Sequence, residues 1–136
     1  MAFSTGIDRE TGKSLSDWPH VVQSMRYIWS TWRGTRVMRR YVGGEVRGLL
    51  GRNLDPVTLL RFWTAIVLSI ELHLRYQVDQ AQEPRFRVRK ISYPPLGNTT
   101  QDIDQGRLHV SVEGDYMPRA LQGDFTVELP TRTIDL

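Results

Sequence analysis

Residues 55–80, DPVTLLRFWTAIVLSIELHLRYQVDQ, and residues 83–93, EPRFRVRKISY, hold the change of hydrophobic period on which the fold turns. The first stretch opens on Asp55-Pro56, a carboxylate able to cap a helix followed by a proline suited to the first helical position. At about 100° per residue, Leu60, Trp63, Val67, Ile70, Leu74 and Val78 gather on one side, flanked by Leu59 and Ile66. This predicts a helix to about Gln80 with that stripe as the core seam. Glu71 stands four residues before Arg75, the favourable order for a helical ion pair. Arg61, Glu71, His73 and Arg75 interrupt the apolar run, so it is not read as membrane-spanning. After Glu83-Pro84 the period moves toward two. Arg85 to Tyr93 reads as a strand with Phe86 and Val88 on one face, and Lys90-Ile91 break the alternation as a bulge would.

Upstream, Val21, Val22, Met25, Ile28, Trp29 and Trp32 recur at helical spacing behind Ser16, Asp17 and Pro19, which predicts a helix at about 18–32 stopped by Gly34. Residues 35–53 mix arginines, apolar residues and four glycines, and predict a short extended piece at Arg36 to Tyr41 and a turn of helix at Glu45 to Leu50. Residues 1–16 are small, polar and aperiodic, and read as a flexible N-terminal arm. Downstream, Pro94 to Gly106 is a polar loop. Leu108, Val110 and Val112 alternate with polar residues, as do Phe125, Val127 and Leu129, so each run reads as a strand with one wet face. Pro130 closes the second, leaving 131–136 as a tail. Helices first and then strands describe an α+β domain over 17–130, two main helices packed on a small antiparallel sheet of about three strands.

At 136 residues with 40% hydrophobic side chains, the chain suits one domain able to fold without metal or disulfide staples. It has no cysteine, which excludes thiolate zinc sites and cysteine nucleophiles. The first residues lack the pattern of a secretory or transit signal, so synthesis in the cytoplasm is expected. Arginine and lysine exceed aspartate and glutamate by three, and the distribution is uneven. Residues 26–52 carry seven arginines against Glu45 alone, whereas from Asp102 onward seven acids face three arginines. Such asymmetry suits oriented docking. Sixteen of the eighteen basic residues are arginine, whose rigid fork matches carboxylates and interface acceptors, so a protein partner is favoured over nucleic acid.

His20, His73 and His109 belong to no ligand-spaced motif, the glycines match no phosphate-binding loop, and no serine sits in a nucleophile elbow. No metal, cofactor or catalytic residue is therefore assigned. Glu45, Glu71 and Glu83 could in principle form the carboxylate pair of a glycosidase, although each has an arginine within reach in sequence. Phe125 to Leu129 is a candidate edge strand, open to strand addition or blunted by Glu128 and Pro130.

The run Val22 to Thr31, then Gly34-Thr35-Arg36-Val37-Met38-Arg39-Arg40 and Gly43, the helix start Asn53-Leu54-Asp55-Pro56, and Glu83-Pro84-Arg85 between helix and strand resemble, in that order, the baseplate protein W and gene-25-like family of contractile phage tails. TssE of type VI secretion systems is similar, and the anti-adaptor IraD shares the fold. Arg40 stands where many members carry proline. The resemblance implies a structural protein of the virion baseplate, made in the host cytoplasm, that joins the wedge to the tail tube and sheath and starts sheath assembly. Its implied partners are wedge proteins, sheath subunits and tube or hub proteins, with no nucleic acid or membrane, the chain being monomeric alone and present in several copies about a six-fold baseplate. Glu83, Pro84 and Arg85 become the expected wedge contact and Phe125, Thr126, Val127, Glu128 and Leu129 the expected sheath-facing strand. Gly34 and Arg36 form the turn after the first helix, Arg36 making an ion pair or carbonyl contact. The other readings are a peptidoglycan-cleaving tail enzyme and an IraD-like regulatory binder.

Overall fold

The computed structural model describes residues 4–71, 82–92, 105 and 107–136. Among them the order is β1 (Thr5–Ile7), β2 (Ser14–Ser16), α1 (Asp17–Ser30), α2 (Val46–Leu49), α3 (Pro56–Glu71), β3 (Phe86–Ser92), β4 (Ser111–Tyr116), a 3-10 turn (Ala120–Gln122) and β5 (Glu128–Asp135). The architecture is α+β, with a two-stranded antiparallel sheet β1-β2 and a three-stranded antiparallel sheet ordered β3-β4-β5. Helices do precede the larger sheet, but a hairpin precedes the helices. Residues 5–16 are thus not an arm without secondary structure. Their strands are three residues long, too short to show alternation, and the turn between them rests on local chemistry. The Asp8 carboxylate accepts from the Glu10 N–H at 3.1 Å and the Thr11 hydroxyl at 2.6 Å, and Gly12 adopts φ +70.

Helix α1 buries Val21, Met25, Ile28 and Trp29, the expected face, and the Trp29 indole N–H donates to the Ile66 carbonyl at 3.4 Å. Ser16 occupies the cap position without a side-chain capping bond. The helix ends at Ser30, where the hydroxyls of Ser30 and Thr31 both donate to the Tyr27 carbonyl, so the stop comes before Gly34. Trp32 falls past that end and is 49% exposed rather than core, its ring lying over Gly48 of α2. The expected extended piece at 36–41 is irregular loop, and α2 is the expected turn of helix.

Helix α3 starts as its sequence predicts. The Asp55 carboxylate accepts from the Thr58 N–H at 3.0 Å, and the Thr58 hydroxyl first and then that N–H hold the Asp55 pKa below its ordinary value. Asp55→Ala should therefore lower the urea unfolding midpoint while Asp55→Asn, which caps equally well, leaves it close to wild type. The expected continuation to Gln80, with the Glu71–Arg75 pair, and the loop Pro94 to Gly106 lie almost wholly outside the described residues. Within α3 the buried face differs from the expected one. Ile66, Ser69 and Ile70 are buried with Phe62 and Ala65 packed beside them, while Leu60 is exposed. The helix is apolar on more than one side, so its own periodicity did not choose the inward face.

One core joins Val21, Met25 and Trp29 of α1, Val46 of α2, Ile66 and Ile70 of α3, and Phe86, Val110, Val112, Tyr116 and Ile134 of the sheet region. Each such side chain, fully buried, contributes about 1.5–3 kcal/mol relative to exposure. Trp18 sits edge-on to Tyr116 with ring centroids 5.3 Å apart and 5.7 Å from Phe86, tying the start of α1 to β3 and β4.

Strand β3 carries the expected irregularity, its register shifting between Val88 and Lys90. The bulge is held by Glu71, whose carboxylate accepts the Val88 N–H at 2.9 Å. Strand β4 begins later than expected and is covered on both faces. Val112 and Tyr116 face the core, while Asp115 lies under Arg89, whose Nε donates to it at 2.7 Å, and Ser111 donates to Asp135. Strand β5 corrects the last expected strand. Phe125 to Val127 precede it, only Glu128 and Leu129 of the expected strand belong to it, and residues 131–135 continue it in place of a tail. Two facts move it: Ile134 is core, and Pro130 falls where the register shifts opposite Asp115, so no ladder bond is lost to the missing N–H.

Candidate functional site

Three residues with opposite charges at either end, Glu83-Pro84-Arg85, connect the end of the helical half to β3. The chain turns here, the Phe86 N–H donating to the Glu83 carbonyl at 3.4 Å, and the turn brings the side chains of Glu83 and Arg85 together. The guanidinium closes on the carboxylate with both prongs, Nε to Oε1 at 2.6 Å and Nη2 to Oε2 at 2.8 Å. The side chains are only 6% and 2% exposed. The remaining nitrogen, Nη1, donates to the Ser4 hydroxyl at 2.9 Å and lies 3.2 Å from His20 Nδ1. The pair thus braces three elements: the strand start at Phe86, the residue before β1, and the first turn of α1. Glu83 and Arg85 were expected to meet a wedge protein. In the folded chain their charges face inward and are matched to each other, and Pro84, half-buried, is the part of the motif nearest solvent.

Gln82, just before the motif, forms a second clamp. Its side-chain amide donates to the Gly43 carbonyl and accepts the Gly43 N–H, both at 2.9 Å, as a strand would. Gly43 has φ +110, and a Cβ there would collide with the Thr31 carbonyl. This clamp fixes the loop that holds Gly34 and Arg36. Gly34 adopts φ +86 and donates to the Arg40 carbonyl at 2.9 Å, closing that loop. Among the described residues the contact of Arg36 is a cation–π one within the chain, its guanidinium 4.5 Å from the Tyr27 ring centroid.

The expected sheath-facing residues are spread over two settings. Asp124 accepts from the Thr126 N–H and hydroxyl, shaping the turn before β5, and these bonds lower the Asp124 pKa. Phe125, Val127 and Leu129 are exposed there, with Leu121 close in sequence. Ser4, His20, Gln82 and Trp18 were missed as organising residues. Ser4 lies in a stretch without periodicity, and nothing local marks His20 or Gln82 as partners of residues tens of positions away.

The glutamates weighed for catalysis have structural duties: Glu83 holds Arg85 and Glu71 holds Val88, while Glu45 is exposed beside α2. Of the histidines, His20 faces Arg85 and Ser4, and His73 lies outside the described residues. Among the described residues no group of three or more metal-ligating side chains forms. No helix there is long and apolar enough to cross a membrane.

No family model matches the chain, and no curated protein matches it. The geometry therefore carries the functional argument.

The brace has a pH signature. Partial burial, and then the Arg85 guanidinium, push the His20 pKa below its ordinary 6.5, with Glu83 pulling weakly the other way. The unfolded chain then binds the proton more readily than the folded one. Stability contributed by this group is complete above about 6.5 and is lost as pH falls below it. The lowered carboxylates, Asp8, Asp55 and Asp124, lose their contributions only at lower pH, below the ordinary 3.8 of aspartate. The urea midpoint should fall between pH 7.5 and 5.5, and His20→Gln should flatten that fall. A slope unchanged by His20→Gln would place the titration elsewhere.

Proposed function

We propose that the chain is a non-enzymatic assembly component, a baseplate wedge protein of a contractile phage tail or related injection machine, linking wedge to tube and sheath and initiating sheath assembly by strand addition. The ordered family-like motifs motivate the reading. The observation that carries it is the position of β5: among the described residues it is an edge of the sheet in the order β3-β4-β5, with Leu129 78% exposed and Phe125 exposed shortly before it. Pro130 and the register shift interrupt its first half, so the regular stretch from Arg132 to Asp135 is the better template. Its partners would be sheath subunits and other wedge proteins, in several copies about the baseplate of the virion. Glu83 and Arg85 would serve the wedge contact by holding Pro84 and the hairpin in place.

The test is co-expression with the other baseplate and sheath proteins of the same genome, reading complex mass by size exclusion with light scattering. Wild type should form a complex, and Phe125→Asp with Leu129→Asp, both at exposed positions, should abolish it while the monomer stays folded. Equal assembly by the variants would remove the exposed segment from Phe125 to Leu129 from the contact. A wild-type chain that stays monomeric with every partner would sink the wedge reading. Clearing of peptidoglycan, lost on substituting Glu45, Glu71 or Glu83 with glutamine, would favour the enzymatic alternative, which Glu71 and Glu83 support poorly because both carboxylates already have structural partners. A genome without tail genes would favour the IraD-like alternative.

A further inference from the structure

Helix α3 presents a second apolar face. Leu60, Thr64 and Leu68 follow one another at four-residue intervals on the side opposite Phe62, Ile66 and Ser69, and Leu60 and Leu68 are 62% and 45% exposed. Leu49 of α2 faces the same space, a groove of about 470 Å³ floored by Leu49, Leu60, Ala65 and Leu68. Arg52 and Arg61 line it against one acid, Glu45. Arg47, next to it on α2, is also exposed, and among the described residues neither Arg47 nor Arg52 has an ion-pair partner.

We infer that this groove between α2 and α3 docks an acidic amphipathic helix of another protein, its apolar side chains on the leucine floor and its carboxylates on Arg52 and Arg61. A ridge of residues spaced by four beside a short second helix is the surface that a third helix packs into. The charge selects the occupant. A second copy meeting this face about a two-fold axis would bring Arg52 and Arg61 against their own equivalents, which repel. Nucleic acid would satisfy the arginines but leave the leucine floor wet. An acidic helix satisfies both, and the guanidinium forks suit carboxylates. The groove shares no lining residue with β5, so the inference stands apart from the tail-assembly reading.

The experiment uses the full chain and a fluorescein-labelled 20-residue peptide with leucines at helical spacing and glutamates elsewhere, read by fluorescence anisotropy. A lysine-for-glutamate peptide and a short DNA duplex serve as competitors. The acidic peptide should bind saturably, and the lysine peptide at least about ten-fold more weakly. Leu68→Gln should weaken binding of the acidic peptide by a similar factor with an unchanged urea midpoint, and Arg61→Glu should reverse the preference between peptides. Failure of the acidic peptide to bind, equal binding of both peptides, or insensitivity to Leu68→Gln and Arg61→Glu would overturn the inference. So would displacement by DNA, or a dimer in light scattering that Leu68→Gln dissolves.

Discussion

Arg85→Ala lowers the unfolding free energy by about 3–5 kcal/mol, because it strands the Glu83 carboxylate without its counter-ion in a site closed to water. The loss exceeds that of an exposed ion pair, worth about 1 kcal/mol or less. Arg85→Lys should recover little, since an ammonium cannot close both prongs on the carboxylate and reach Ser4 as well. The double variant Glu83→Met with Arg85→Met should recover much more, because no charge is left buried. Urea denaturation at pH 7.5 decides it: an Arg85→Ala variant within about 1 kcal/mol of wild type would mean that the brace is not formed in solution. The consequence for function is direct. A failed assembly by Arg85→Ala reports lost folding before it reports a lost contact, which is why exposed positions on β5 are the informative ones.

Gly114→Ala costs about 3 kcal/mol, the upper part of the range for overfilling a packed interior. Gly114 is buried in the central strand, and the ring of Phe86 crosses the place its side chain would take, with Cζ 2.5 Å from an added Cβ. The same Cβ would collide with the Arg87 carbonyl on the paired strand. Neither neighbour can withdraw cheaply. The carbonyl belongs to the β3–β4 ladder, and the ring is itself only 2% exposed, set between the strand and Trp18. Gly51→Ala is the control: φ is +82 but nothing lies within 4 Å, so only the backbone preference, about 1–2 kcal/mol, is lost. Comparable unfolding midpoints for the two variants would show that β3 and β4 do not pack as described.

The sequence by itself determined the features whose causes are local. The Asp55 cap, the start of α3 and the buried face of α1 follow from residues within a few positions of one another, where hydrogen-bond reach and helical period decide the outcome, and the irregularity after Val88 shows in the broken alternation although Glu71, far along the chain, holds it. The α+β class followed from the change of period after Pro84. Other features depended on partners far along the chain. The face that α3 turns inward was chosen by Trp29 and Phe86, because a helix apolar on two sides has no preferred side of its own. Strand β5 was placed by pairing with β4 and by burial of Ile134, not by the alternation around Phe125 that marked a strand a few residues too early. The hairpin before α1 forms because Gln23 donates to the Ile7 carbonyl and Arg85 holds Ser4, contacts that three-residue strands cannot announce. The same reason governs Glu83 and Arg85. Their spacing permits a bidentate pair, but whether such a pair faces solvent or the interior is decided by what closes over it, and here that is the hairpin and the first turn of α1.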